Sequence, residues 1–192
     1  MSVPPIFSIF CIDYRYDALN TQYFKDLGIE FNYYMSTTAG AALALGYESY
    51  CDKICNNKCN KSCNPSNPDM KLLKDGLKKN LQIALSLSPI TQVYLMNHQD
   101  CGAFKAFLAC SGYPKTLGAN NEKEIKINTC LMIYARNYIQ KKFPNIKKIT
   151  LGLIDVNGSV GNLNTKTMKW EVTFIGVGVN PLGLWYGKKL SK

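Results

Sequence analysis

The chain is short of histidine, arginine and long apolar runs. It contains one histidine, His98, and two arginines, Arg15 and Arg136, among 23 basic residues. Arginine is the side chain best suited to bidentate reading of base edges. Its scarcity, with no zinc-finger, homeodomain or RNP pattern, argues against specific nucleic-acid recognition. No segment approaches the ~20 consecutive apolar residues of a membrane-spanning helix, so no membrane partner is expected. The apolar stretch 1–12 has no basic flank and no small-residue cleavage site, and it runs straight into Asp13 and Arg15. It reads as a buried strand, not as a signal peptide. The expected compartment is cytoplasmic and reducing, where cysteines bind metal or stay as thiols. Internal repeats and the composition of a disordered or collagen-like chain are also missing.

The basic residues that are present are almost all lysines, scattered along the chain, and they set a net charge of +10. Scattered lysines predict a solvated surface. At 192 residues and 46% hydrophobic, the chain can bury a core without disulfides. At roughly 150 residues per domain, it reads as one domain, 1–192. A Cys/Asn-rich stretch at about 51–68 reads as an insertion in that domain.

Strand and helix patterns alternate. Apolar runs predict strands at 5–13, 29–35, 93–97 and 149–156, with a fifth edge strand at 171–177. Helical spacing appears at 17–26, 41–47, 69–86, 101–110 and 122–143. In 69–86, Met70, Leu73, Leu77, Leu81 and Leu85 form one stripe opposite lysines. The expected fold is α/β, a mostly parallel central sheet of about four strands plus the fifth at its edge, flanked by helices.

Two motifs leave predicted strand ends, where open α/β sheets bind ligands. Cys11-Ile12-Asp13-Tyr14-Arg15 follows the first strand and His98-Gln99-Asp100-Cys101-Gly102 the third. His-x-x-Cys lets both side chains face one point across a turn. With Cys11, it offers two thiolates and one imidazole. Three protein ligands and one open position are the layout of a catalytic zinc site. Alternatively, His98 is a satisfied polar residue and the cysteines are small core residues. The joint pattern with Asp13 and Arg15 favours metal. Asp13 and Arg15, at i and i+2, can form a bidentate pair that keeps the carboxylate ionised. Tyr33, Tyr34 and Phe104, close to these motifs in sequence, are candidates to line the pocket.

These motifs resemble those of the β-class carbonic anhydrases. Thr38-Ala39-Gly40-Ala41 is similar to the turn after that family's second strand. Residues 81–87 and 93–97 look like its helix and strand leading to the zinc histidine. Gly152-Leu153-Ile154-Asp155 with Asn157-Gly158 looks like its late strand and turn. The resemblance implies Zn2+ held by Cys11, His98 and Cys101, with Asp13 and Arg15 as the catalytic dyad. It implies an enzyme, a zinc lyase in which zinc-bound hydroxide, oriented by the dyad, hydrates CO2 reversibly to bicarbonate. A homodimer or higher homo-oligomer is implied as well. Two alternatives stay open: carbonyl sulfide or carbon disulfide hydrolysis on the same zinc site, and a catalytically silent structural or binding relative.

Cys51, Cys55, Cys59 and Cys63 recur every four residues. Such spacing admits a second, structural metal site, disulfides, or an unliganded excursion. Cys110 and Cys130 fall on helical apolar positions and read as core residues.

Overall fold

A computed structural model describes residues 5–30, 32–55, 64–114, 121–179 and 185–189. Among the described residues, seven strands form one mixed sheet in the order β2-β1-β3-β4-β5-β6-β7. β1 (Ile6–Cys11), β2 (Tyr33–Thr38), β3 (Gln92–His98) and β4 (Lys148–Ile154) are parallel. β5 (Val160–Asn164), β6 (Lys169–Val179) and β7 (Trp185–Lys189) extend the sheet as antiparallel strands. The expected α/β fold with a parallel core of four strands is present, and three antiparallel strands among the described residues stand where one edge strand was expected. β5 escapes a propensity reading because Val-Gly-Asn-Leu-Asn contains only two good strand formers. It forms because the Asn157-Gly158 turn folds it back on β4. There Asp155 accepts the Asn157 and Ser159 N–H groups at 2.8 and 2.9 Å, and Gly158 takes φ +80°.

The helices are α1 (Asp17–Asp26), α2 (Leu43–Tyr50), α3 (Pro68–Leu87), α4 (Gly102–Phe107) and α5 (Asn121–Lys142). α3 starts where Asn67 accepts the Met70 N–H at 3.1 Å and Pro68 presets the first turn. Met70, Leu77 and Leu81 of the predicted stripe are buried, Leu73 and Leu85 are partly buried, and Ala84 joins them. β2 begins later than expected because Ile29 folds back on the end of α1. Gly28, at φ +70°, stops that helix, and the Ile29 N–H bonds back to the Phe24 carbonyl at 3.1 Å.

α1 packs Leu19, Tyr23 and Phe24 on one sheet face, against Phe10, Tyr94, Met96 and Phe174. On the other face, α2, α3 and α5 cover Phe7, Ile9, Val93 and Leu95 through Leu45, Leu81, Met132 and Ile139. These opposite placements follow from strand order. The chain leaves β1 toward β2 in one direction and leaves β3 toward β4 in the other, and right-handed crossovers then use opposite faces. β1 and β3 thus flank the point where the direction of winding reverses. Their pairing ends at Ile9↔Leu95, while β1 stays paired with β2 to Cys11 and β3 with β4 to His98. The sheet splits at this end and leaves a notch between the two strands. Among the described residues, no helix is long and apolar enough to cross a membrane.

The Cys/Asn-rich stretch opens with a π-helical turn, Cys51–Cys55. Cys51 is disulfide-bonded. Cys59 and Cys63, and the side chains of Cys55 and Cys110, lie outside the described residues. Cys130 is a partly buried free thiol on α5.

Candidate metal centre

The notch brings together the three sequence-predicted ligands. The donor atoms of Cys11, His98 and Cys101 all lie within 4.8 Å of one another. Cys11 comes from the last residue of β1 and His98 from the last residue of β3. Cys101 sits just before α4, with backbone at φ −73° and ψ 122°. The Cys11 and Cys101 sulfurs are 3.9 Å apart. A tetrahedral ion with Zn–S bonds of about 2.3 Å would hold two thiolates about 3.8 Å apart, so the spacing fits.

His98 is prepared for such a role. It is 2% exposed. Its Nδ1 lies 2.7 Å from the Gln99 carbonyl, which can only accept. The neutral ring therefore carries its proton on Nδ1 and presents the Nε2 lone pair. That buried Nε2 has no hydrogen-bond partner among the described residues. An unpartnered acceptor beside two sulfurs suits a metal cation. Tyr16 stacks on the ring with centroids 4.4 Å apart. The loop after His98 is fixed in turn by Gln99, whose N–H bonds to the Ile154 carbonyl at 2.8 Å. The Gln99 side chain accepts the Val156 N–H at 3.2 Å.

The two thiols are electrostatically distinct. Hydrogen bonding from Cys101 lowers the Cys11 pKa, against the opposing effect of burial, with further help from His98 and from the Gly40 N–H at 3.4 Å. The same sharing, and burial, raise Cys101. The pair thus holds one proton between them, and a metal must displace it from Cys101.

Asp13 and Arg15 stand beside this cluster. Asp13 lies two residues past β1 and caps the short 3-10 turn Tyr14–Tyr16, accepting the Arg15 N–H at 3.1 Å. Arg15 Nε and Nη2 clamp the carboxylate at 2.9 and 2.6 Å. Burial pushes the Asp13 pKa up, but the Arg15 hydrogen bonds and the nearby His98 outweigh it and leave the carboxyl below its ordinary range. The third guanidinium nitrogen, Nη1, reaches Asp100 at 3.4 Å. Asp100 also pairs with Lys105.

Three neighbours of the centre were not expected from the sequence. Tyr16 lies next to the Asp13–Arg15 motif, so an aromatic one residue past the arginine was the available signal. Asp100 lies inside His-x-x-Cys, and its charge was visible there. Nothing in the sequence pointed to Lys105. The three expected pocket residues lie elsewhere. Phe104 is wholly buried in the core under α2 and α5, and the Tyr34 hydroxyl pairs with Ser88 at 2.7 Å. Tyr33 stacks on Phe24 with centroids 4.8 Å apart. A cavity of about 370 Å³ beside the notch is walled instead by Cys11, Ile12, Asp13, Tyr14 and Met35, among others.

No sequence-family model matches the chain. An uncharacterized protein of Rickettsia bellii (strain RML369-C) is 27% identical over 152 residues, covering 79% of this chain and 77% of that protein. One from Rickettsia conorii (strain ATCC VR-613 / Malish 7) is 26% identical over 152 residues, covering 79% and 68%. Among solved structures, a tetrameric β-carbonic anhydrase of the filamentous ascomycete Sordaria macrospora superposes with a TM-score of 0.50 at 12% identity, over 85% of this chain and 82% of that one. The β-carbonic anhydrase CcaA gives a TM-score of 0.49 at 14% identity, over 88% and 77%. The chain has the β-carbonic anhydrase fold, and its Cys-His-Cys cluster can hold a metal ion.

Proposed function

We propose that the protein is a zinc-dependent carbonic anhydrase that hydrates CO2 reversibly to bicarbonate. One observation carries this reading: the Asp13–Arg15 pair lies directly beside the three-donor cluster, with Asp13 Oδ2 3.8 Å from His98 Nε2. A zinc ion held by Cys11, His98 and Cys101 would supply a Lewis acid that makes water nucleophilic near neutral pH.

The protein's own groups then have defined tasks. Asp13, kept ionised by Arg15, is an acceptor that can hold the hydrogen of the attacking oxygen and turn a lone pair toward the substrate carbon. Arg15 fixes the carboxylate at two points, so the acceptor has one orientation. Phe10 and Ile12 offer an apolar wall suited to uncharged CO2. Water adds across one C=O bond, giving bicarbonate, and the released proton passes to solvent.

The assembly we infer is a homodimer or a multiple of it. Ile12, Tyr14 and Met35 are 63%, 72% and 56% exposed around the same cavity. They sit on and beside β2, the edge strand of the sheet. Exposed apolar residues next to an unpaired strand edge favour covering by another chain.

Stopped-flow CO2 hydration by zinc-loaded protein tests the activity. Turnover that is lost in Asp13→Ala is the expected result. A fully loaded protein inert toward CO2 overturns the reading and directs the assay to carbonyl sulfide.

A further inference from the structure

Two buried polar residues of α5, one helical turn apart, reach the two loops that carry the thiolates. Glu124 is 4% exposed and Asn128 is fully buried. Glu124 Oε1 accepts the Asp100 N–H at 2.5 Å. Asp100 immediately precedes Cys101 and has φ +58°, in the left-handed region that side-chain-bearing residues seldom enter. The same Oε1 accepts the Tyr113 hydroxyl, which is also buried. Asn128 acts through an intermediary. Its Oδ1 accepts from Asn97 Nδ2 at 3.0 Å, and Asn97 Oδ1 accepts the Ala42 N–H at 3.0 Å. Ala42 ends a turn in which Gly40 and Ala41 take φ +75° and +47°. From that turn the Gly40 N–H reaches Cys11 Sγ. Asn128 Nδ2 closes the network on the Glu124 carbonyl at 3.2 Å.

Two asparagines and a glutamate buried under a sheet are unfavourable unless fully hydrogen-bonded, and apolar residues of similar size would pack there more simply. Glu124 and the Asn128–Asn97 relay each end on a backbone N–H in a strained loop beside a sulfur ligand. We infer that Glu124 and Asn128 are positioning residues. They brace the Cys101 loop and the Cys11 turn against one helix, so the two sulfurs are held at their bonding distance before a metal arrives. This inference rests on the metal reading of the cluster. Its energetic content is preorganisation, because a metal then need not pay for ordering two strained loops.

Cobalt(II) binding to metal-free protein tests it, read from thiolate-to-cobalt charge-transfer absorption under chelator competition. Glu124→Leu and Asn128→Leu should each weaken cobalt affinity about 10–100-fold and change the band shape. Glu124→Gln, which keeps an acceptor oxygen, should recover most of the loss. Ile139→Ala, buried on the same helix but facing the sheet core, should lower stability and leave affinity and bands unchanged. Wild-type affinity and bands in both folded leucine variants would overturn the inference. If those variants do not fold, Tyr113→Phe and Asn97→Asp carry the same test, and unchanged binding in both overturns it. If the wild type takes up no cobalt, the metal reading fails separately. Hydrogen exchange then decides the brace in metal-free protein. Residues 98–101 should exchange faster in Tyr113→Phe and residues 40–43 in Asn97→Asp, and wild-type rates in both would refute it.

Discussion

Asp13 Oδ2 stands 3.8 Å from His98 Nε2, beside its lone pair and too far for a hydrogen bond. The Arg15 clamp is what keeps it at that distance. Weakening the clamp should therefore let the carboxylate compete for whatever occupies the lone pair of His98. Arg15→Gln should lower hydration while leaving zinc content intact. Loss of zinc from this variant would show instead that Arg15 supports the fold of the centre.

Asp13→Asn keeps the shape and removes the charge. If Asp13 orients the attacking oxygen, kcat/KM should fall about 10²–10⁴-fold, the range for a positioned acid–base group. Stopped-flow kinetics on zinc-loaded protein measure this, and a fall of less than threefold would remove Asp13 from the chemistry.

The lowered pKa of Asp13 has a signed consequence for stability. A carboxyl whose folded pKa lies below its unfolded value stabilises the fold above the ordinary 3.8. That contribution disappears as pH falls through the lowered folded value. Urea unfolding of wild type and Asp13→Asn should differ at neutral pH and converge in acid. A difference that grows toward low pH would contradict the assigned direction.

Catalysis should have its own pH profile. Two thiolates and a neutral imidazole cancel the charge of a zinc ion, so the site acidifies water less than a three-histidine site would. Hydration should increase above neutral pH. A flat profile from about pH 6 to pH 9 would exclude this charge balance.

Metal removal should also register in the unfolding temperature. Because the donors come from both sides of the split in the sheet, a bound ion ties β1 to the β3 side. Zinc at 1,000 times its Kd would add about 4 kcal/mol. Calorimetry with and without chelator measures the gain, and Cys101→Ala should abolish it.

The oligomer is open to a direct test. Met35→Lys places a charge on the exposed edge strand and should shift sedimentation toward the monomer while leaving the fold intact. An unchanged assembly would locate the interface elsewhere.

Much of the metal centre was legible because its donors sit in two short motifs at strand ends, where local spacing and strand periodicity both speak. Cys11, Asp13, Arg15, His98 and Cys101 lie together, as those motifs suggest. The amphipathic stripe of α3 was equally plain. What escaped depends on distant partners. Val160–Asn164 becomes a strand through its pairing with β4 and β6, not through its own propensity. Glu124 and Asn128 look like ordinary polar positions on a helix until the fold carries Asp100 and Asn97 against them. Ile29 looked like a strand residue because its burial comes from packing back on the end of α1.

The separation of the ligands along the chain bears on how the centre is made. Cys11 and Cys101 are 90 residues apart. A ribosome adding roughly 5–20 residues per second leaves Cys11 without its partners for roughly 5–20 seconds. β1 can pair with β2 early, but its position beside β3 waits for residues synthesised much later. During that interval Cys11 has no companion thiol, no imidazole and no brace, and it lacks the neighbours that lower its pKa in the folded protein. Capture of a metal by this cluster would thus be a late event in biosynthesis, and oxidants or stray metals meeting the nascent chain would find Cys11 first.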